Sequence, residues 1–174
     1  MIASPSFLRA LNFVLSDHIE GGFSDDPEDP GNWTGGAKDS GELRGTKYGI
    51  SAKAYPQLDI RALRYDEVVG IYWRDYWVKI RGDDLPPRVA FAVFDCAVNQ
   101  GVAAAAQMLQ ASVGADVDGI IGPATISAVR QREQTDVLVD FLARRAVRYA
   151  SLSTFKRFGR GWMRRLFYAM ESSR

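Results

Sequence analysis

Hydrophobic residues recur at three- and four-residue spacing along most of the chain, which is the pattern of amphipathic helices. This spacing predicts a first helix from about Ser6 to Glu20, because Gly21 and Gly22 come next as natural C-terminal stops. Caps, prolines and the same spacing predict further helices at 51–55, 66–77, 88–99 and 102–113, from Pro123, and at 135–152 and 160–171. The helix at 88–99 is apolar on every side, so we expect it to be central and buried.

A polar segment rich in Gly, Asp, Pro, Ser and Thr runs from Gly21 to about Ile50. A loop of this length inside a compact domain is normally functional or disordered. Short strand pieces could form within it, and the sequence shows no convincing set of alternating strands elsewhere. No linker, low-complexity stretch or internal repeat divides the chain. The sequence therefore predicts a mainly α fold that forms one compact unit, with a long loop after the first helix.

The net charge of +1 conceals an uneven distribution. Residues 136–174 contain nine Lys or Arg against three acidic residues, an excess of +6. Such a segment is usually a set of solvated helix faces, although it could also attract an anionic polymer such as nucleic acid or the bacterial envelope.

The sequence offers little for metal or thiol chemistry, since it has one histidine, His18, and one cysteine, Cys96. We expect Cys96, which lies in an apolar run, to be a buried structural thiol, and His18 to be structural as well. Acidic residues crowd positions 25–29, but the ligand spacing of a calcium loop is missing. We therefore expect no metal and no cofactor, and a solvated acidic turn.

No segment approaches the roughly 18 consecutive apolar residues of a membrane span, and the N-terminus shows no secretory signal. We expect a protein made in the cytoplasm, without membrane insertion. A target outside the cell membrane would then require a separate route of release.

Glu20 is the strongest catalytic candidate. At a helix C-terminus the dipole disfavours a carboxylate and favours a protonated acid, which suits a general acid, although a glutamate so placed is more often simply solvated. The loop after Glu20 reverses this balance, because Asp29 comes after eight intervening residues and threonines lie further along the same loop. Glycosidic hydrolysis uses one carboxyl group to protonate the leaving oxygen, and a second polar or anionic group to activate water or stabilise positive charge.

The loop carries three motifs in order: Glu20-Gly21-Gly22-Phe23, then Asp29-Pro30-Gly31, then Thr46-Lys47-Tyr48-Gly49-Ile50-Ser51. With further matches at 71–77 and 95–101, their order and spacing resemble the muramidases of glycoside hydrolase family 108. The segments 106–110 and 118–125 are similar to the peptidoglycan-binding region that accompanies this family.

This resemblance implies a lysozyme-like helical fold with its active site at the long loop. It also implies cleavage of the β-1,4 bond between N-acetylmuramic acid and N-acetylglucosamine, with Glu20 as the catalytic acid and Asp29 and Thr46 as further catalytic residues. An insertion after Gly31 leaves Thr34 as an alternative to Thr46. We prefer Thr46 because it keeps the Tyr-Gly-Ile-Ser sequence beyond it.

Three residues are predicted to bind substrate: Tyr48, whose ring could stack on a sugar, and Asn99 and Gln100, which could reach acetamido groups. Asp95 and Asn99 stand four residues apart on one face of a buried helix, so an internal hydrogen-bond network is an equally good explanation. The aromatic residues at 72–77 are expected to be core for the most part.

The leading hypothesis is a lysozyme-like endolysin in which residues 1–86 form the catalytic region and residues 87–174 a helical peptidoglycan-binding-like region packed against it. The second is a non-catalytic peptidoglycan-binding protein with the same fold. The third, a helical nucleic-acid-binding protein, has only the basic C-terminal segment in its favour and no recognisable motif. We expect a monomer whose partner is the peptidoglycan glycan strand, not nucleic acid, and which reaches the cell wall through a holin-like pore.

Overall fold

The computed structural model describes residues 3–16 and 22–174 of the chain. The chain divides into two compact units. The smaller is Val14–Tyr72, and the larger comprises the chain up to Phe13 together with Trp73–Arg174. The functional division after Pro86 that the sequence suggests remains a prediction. Among the described residues, no helix is long and apolar enough to cross a membrane.

Helices dominate the described chain, so the predicted mainly α class is confirmed. Proline begins α1, α3 and α5, where its fixed φ suits the first helical turn. The α-helices are α1 Pro5–Val14, α2 Tyr65–Tyr72, α3 Pro87–Gln100, α4 Val102–Val113, α5 Pro123–Arg130, α6 Gln134–Ala150 and α7 Phe155–Ser172.

The core of the larger unit is built around α3. Residues 89–97 of this helix are all buried, and it packs against α4, α6 and α7, which confirms the predicted central helix. The Phe94 ring centroid lies 5.8 Å from that of Phe7 and 5.5 Å from that of Trp77. Aromatic pairs of this kind contribute about 0.5–1.5 kcal/mol beyond their buried area, so they help fix α1 against α3.

A buried ion cluster also centres on α3. Asp95 is 0% exposed, and its two carboxylate oxygens accept hydrogen bonds from Arg145 Nη1 at 2.7 Å and Arg165 Nε at 2.8 Å. Burial alone would lower the pKa of the Arg145 guanidinium, but the charge of Asp95, with Cys96 and Tyr149, outweighs it and leaves that pKa raised. The cluster therefore ties α6 and α7 to α3 through one carboxylate.

Cys96 is fully buried beside this cluster. Burial raises the pKa of its thiol to about 12, so the thiol stays protonated at neutral pH. Its Sγ donates to Gln100 Oε1 at 3.5 Å. The prediction of a buried structural thiol is confirmed.

The smaller unit contains a three-stranded antiparallel sheet in the order β1-β2-β3. The strands are β1 Phe23–Ser24, β2 Thr46–Lys47 and β3 Ile50–Ser51, and they confirm the short strands expected in the loop. Thr46 pairs with Ser24 on one side and with Ser51 on the other. The sheet thus places Thr46 in its central strand.

Two predicted helix positions are wrong. The first helix ends at Val14 and is followed by a turn at 15–16, so it does not run continuously to Glu20. No helix forms at 51–55, because Ser51 ends β3 and its carbonyl accepts hydrogen bonds from Ala54 N and Tyr55 N in a turn that goes no further.

The sequence favours Asp66 as the cap of the helix at 66–77, but that helix begins at Tyr65 and has a different cap. Glu67 Oε2 accepts a hydrogen bond from Arg64 N at 2.9 Å, which is half of a capping box, so Arg64 takes the cap position. Asp66 instead lies in the first turn and pairs with Arg64. A π-helix at Trp73–Trp77 comes after α2 where the sequence predicted one continuous α-helix.

Candidate active site

The leading catalytic candidate, Glu20, lies outside the described residues, as does His18. The other predicted site residues belong to different units. Asp29, Thr46 and Tyr48 lie in the smaller unit, and Asn99 and Gln100 lie in the larger.

Asn32 organises the loop of the smaller unit, although the sequence did not single it out. It is 0% exposed, its Oδ1 accepts from Thr46 Oγ1 at 2.7 Å, and its Nδ2 donates to Asp26 O at 2.9 Å. Its backbone carbonyl accepts from Arg44 N and Gly45 N, each at 3.0 Å. A buried amide requires such partners. Asn32 therefore joins the acidic turn to β2, and we call this arrangement the Asn32 hub.

Asp29 caps the short 3₁₀-helix Pro30–Asn32 at the edge of this hub. Its Oδ1 accepts from Gly31 N at 2.8 Å, and its carbonyl accepts from Asn32 N at 3.1 Å. The residue is exposed, and its Oδ2 has no hydrogen-bond partner among residues 3–16 and 22–174. One carboxylate oxygen thus orients the loop, while the other remains available to a ligand.

The two candidate threonines have different local roles. Thr46 Oγ1 donates its hydrogen to Asn32, so its lone pairs are left for water or substrate. Thr34 Oγ1 accepts from Glu42 N at 2.9 Å, and Thr34 N donates to Glu42 O at 3.0 Å. The Thr34 hydroxyl therefore helps to close the inserted segment on itself.

Tyr48 occupies a tight hairpin turn. Together with Gly49 it connects β2 to β3, with φ of 53° at Tyr48 and 73° at Gly49, as in a type I′ turn. Positive φ suits glycine but costs tyrosine about 1 kcal/mol. Tyr72 OH donates to Tyr48 O at 2.6 Å and Tyr48 N donates to Gly22 O at 3.1 Å, and both bonds hold this conformation. Strain of this kind is frequent at functional sites.

A separate cleft of about 470 Å³ opens in the smaller unit. Arg61 lines it, with its guanidinium 4.3 Å from the Phe23 ring centroid and 2.8 Å from an oxygen of Asp25. None of the predicted site residues that the structure describes lines this cleft. It therefore does not bear on the predicted catalytic residues.

Asn99 and Gln100 end α3 and line a small cleft of about 220 Å³. Tyr149 OH donates to Asn99 Oδ1, and the Tyr149 ring stacks on Trp162 with centroids 5.0 Å apart. Burial raises the pKa of Tyr149, which keeps its hydroxyl protonated as a donor. Asn99 thus belongs to an internal hydrogen-bond network. Because both side chains also line the cleft, their role in substrate binding stays a prediction.

A second polar network holds the turn at 118–122. Gln110 is 1% exposed, its Nε2 donates to Asp118 Oδ1 at 2.6 Å and to Ile120 O at 3.0 Å, and its Oε1 accepts from Gly119 N at 2.9 Å. The hydrogen bond from Gln110 lowers the pKa of the Asp118 carboxyl group. The segments 106–110 and 118–125 that the resemblance singled out therefore meet here, and the buried amide of Gln110 holds the turn.

The chain matches two family models in succession. Residues 12–101 match the glycosyl hydrolase 108 model, and residues 104–167 match a model described as a predicted peptidoglycan domain. Among solved structures, the chain is similar to SagA of Brucella abortus, with a TM-score of 0.82 and 34% sequence identity over 98% of this chain and 95% of that chain. A comparison with curated proteins gave no match.

These similarities agree with the motifs and the fold. The structural match covers nearly the whole of both chains and confirms the lysozyme-like fold class. The first family model includes the Asn32 hub, and the second includes α5 and α6. The chain therefore belongs to the glycosyl hydrolase 108 family, and it is a glycoside hydrolase that acts on peptidoglycan.

Proposed function

We propose that the protein cleaves the β-1,4 bond between N-acetylmuramic acid and N-acetylglucosamine, with Glu20 as the general acid. Its family supports hydrolysis of peptidoglycan, and the order Glu20, Asp29, Thr46 supports lysozyme-type chemistry. The observation that carries the proposal is the Asn32 hub, which links the Asp29 turn to Thr46 through one buried side chain. Polar groups held in place before substrate binds are what such a reaction requires.

The proposed catalytic roles follow from which side-chain atoms are already used in hydrogen bonds within the protein. Glu20 protonates the leaving oxygen, and the positive charge that develops on the sugar carbon is stabilised by a carboxylate or met by water. We assign that second role to Asp29 Oδ2 and the holding of water to the lone pairs of Thr46 Oγ1. Since α1 ends at Val14, the dipole of α1 supplies no argument for Glu20. Its assignment rests on the motif.

The proposal is tested with purified protein on bacterial sacculi, monitoring turbidity and new reducing ends together. A muramidase lowers the turbidity and raises the number of reducing ends in parallel. Sacculi that bind the protein but keep their turbidity and gain no reducing ends would indicate a non-catalytic peptidoglycan-binding protein instead.

The endolysin context is part of the same proposal and rests on the family resemblance. In it, protein made in the cytoplasm reaches the wall through a holin-like pore. Cells that express the protein should then lyse when the inner membrane is permeabilised and remain intact otherwise. Lysis without permeabilisation would contradict this route.

Thr46→Ala should lower turnover on sacculi by about tenfold, because one hydrogen bond is worth roughly 0.5–1.5 kcal/mol. Thr34→Ala should have a smaller effect, since its hydroxyl contacts the inserted segment. Asp29→Ala should cost more than Thr46→Ala, because it removes a carboxylate as well as the turn cap. Initial rates, with melting temperatures as the control for folding, give the order. An inactive Thr34 variant beside an active Thr46 variant would reverse the assignment.

The basic C-terminal segment gives a further prediction. Arg157, Arg160 and Arg164 are all exposed on α7. Replacing the three with glutamine should weaken attachment to sacculi several-fold and leave hydrolysis of short soluble glycan fragments unchanged, because a wall that carries carboxylates and phosphates attracts exposed cations.

Salt provides the control for this prediction. Attraction between exposed charges is screened over about 8–10 Å at physiological salt, so wild-type activity on sacculi should fall as salt rises. Activity on soluble fragments should change little over the same series. A flat response on sacculi would mean that this part of α7 is simply a solvated helix face.

A further inference from the structure

An open groove of about 620 Å³ lies along α4 and α6 in the larger unit. Small side chains line it, with Ala104 and Ala111 from α4 and Ala143 from α6. Val147 also lines it and is 71% exposed, although it is aliphatic. An exposed aliphatic side chain in a concave surface is typical of a binding groove.

Two arginines border this α4–α6 groove, and only one of them forms an ion pair with an acidic residue. Arg144 Nε donates to Asp140 Oδ2 at 2.9 Å, so its charge is balanced within α6. Arg148 lines both this groove and the cleft beside Asn99 and Gln100, and it has no ion-pair partner among residues 3–16 and 22–174. The groove thus combines an apolar surface with one unbalanced guanidinium, which is the group best suited to a carboxylate.

The lining also indicates which part of peptidoglycan would fit. Sugar rings commonly stack on aromatic side chains in binding clefts, and none of the residues that line this groove, all of them described, is aromatic. Alanine side chains leave room for methyl groups, and Arg148 can bind a carboxylate. The peptide stems of peptidoglycan carry both groups, whereas its glycan backbone is a succession of sugar rings.

We propose that the α4–α6 groove binds the peptide stems of peptidoglycan. The proposal rests on the proposed function only in that peptidoglycan is the substrate. The groove lies within residues 104–167, the segment that matches the predicted peptidoglycan domain. Stem binding holds the enzyme on the wall and leaves the chemistry of glycan cleavage unchanged.

Binding is measured by calorimetric titration with a synthetic stem pentapeptide, alanyl-γ-glutamyl-lysyl-alanyl-alanine, and in parallel with a peptide-free chitin hexasaccharide. Ala143→Trp fills the groove from an exposed position, and Arg148→Gln removes its unbalanced charge. We expect each variant to weaken pentapeptide binding at least tenfold, which corresponds to about 1.4 kcal/mol. Unchanged melting temperatures establish that the variants remain folded.

Matched controls are available on the same helix and on its neighbour. Ala150→Trp adds the same ring to α6 at an exposed position outside the groove, and Lys156→Gln removes an exposed charge from α7. Both should bind the pentapeptide like the wild type. The proposal would be overturned if the two groove variants bound the pentapeptide as tightly as the wild type, or if the wild type did not bind it. Hexasaccharide binding that Ala143→Trp abolishes would overturn it as well, since the groove would then be a glycan site.

Hydrolysis of peptide-free glycan strands separates this proposal from the proposed function. Activity on these strands without pentapeptide binding would overturn the groove assignment alone. Inactivity on both the strands and intact sacculi would overturn the proposed function, and the pentapeptide titration would then still decide the groove assignment.

Discussion

Glu20→Gln should abolish turnover on sacculi while the protein remains folded. The amide keeps the shape of the side chain but cannot deliver a proton to the leaving oxygen. General acid–base catalysis typically contributes 10²–10⁴-fold, so the loss should be at least a hundredfold. Initial rates of reducing-end release measure it directly.

Glu28→Gln is the matched control for this experiment. Glu28 lies in the same polar segment, is exposed and pairs with Lys38 at its surface, and such pairs contribute about 0–1 kcal/mol. This variant should turn over like the wild type. A folded Glu20→Gln protein that stays within about tenfold of wild type, or about 1.4 kcal/mol in activation free energy, would show that Glu20 is not the acid.

Asp95→Asn should produce the largest loss of stability. It leaves the buried guanidinium of Arg145 and the mostly buried guanidinium of Arg165 without their shared carboxylate. Breaking a buried ion pair by removing one partner costs about 3–5 kcal/mol. For a domain of this size each kcal/mol corresponds to roughly 2–4 °C, so the melting temperature should fall by about 10 °C. Thermal unfolding monitored by circular dichroism measures the shift.

Asp140→Asn is the control, because it breaks an ion pair on the same helix as Arg145 but with both side chains partly exposed. Pairs of this kind contribute about 0.3–0.5 kcal/mol, so the melting temperature should change by roughly 2 °C at most. Equal shifts in melting temperature in the two variants would mean that the buried Asp95 cluster stabilises the fold no more than a partly exposed ion pair does.

The central helices could be predicted because their signals are local. The bounds of α4 were predicted correctly from the glycines that flank it, and the continuous apolar run in α3 identified the buried helix. The end of α1 could not be predicted in this way. Apolar spacing continues through Leu15 and Ile19, but it reports which side of a helix would be buried, not where the backbone hydrogen bonds stop.

The site was predictable in part. The motifs identified Asp29 and Thr46 as candidates, because the order of the motifs can be read directly from the sequence. Asn32 looks like any turn residue in a polar loop, and its burial arises from contacts with residues 12 and more positions along the chain, such as the hydrogen bond from Arg44 N. Contacts between residues this far apart depend on how the inserted segment folds back on itself. Local sequence patterns do not show this.

The identity of the new reducing sugar tests the central claim most directly. Sacculi are digested, the soluble products are reduced with borohydride, and the resulting sugar alcohols are identified by mass spectrometry. Cleavage by the proposed mechanism predicts N-acetylmuramitol at the reduced ends. N-acetylglucosaminitol in its place, or soluble products with no sugar alcohol and newly exposed amino groups, would contradict it.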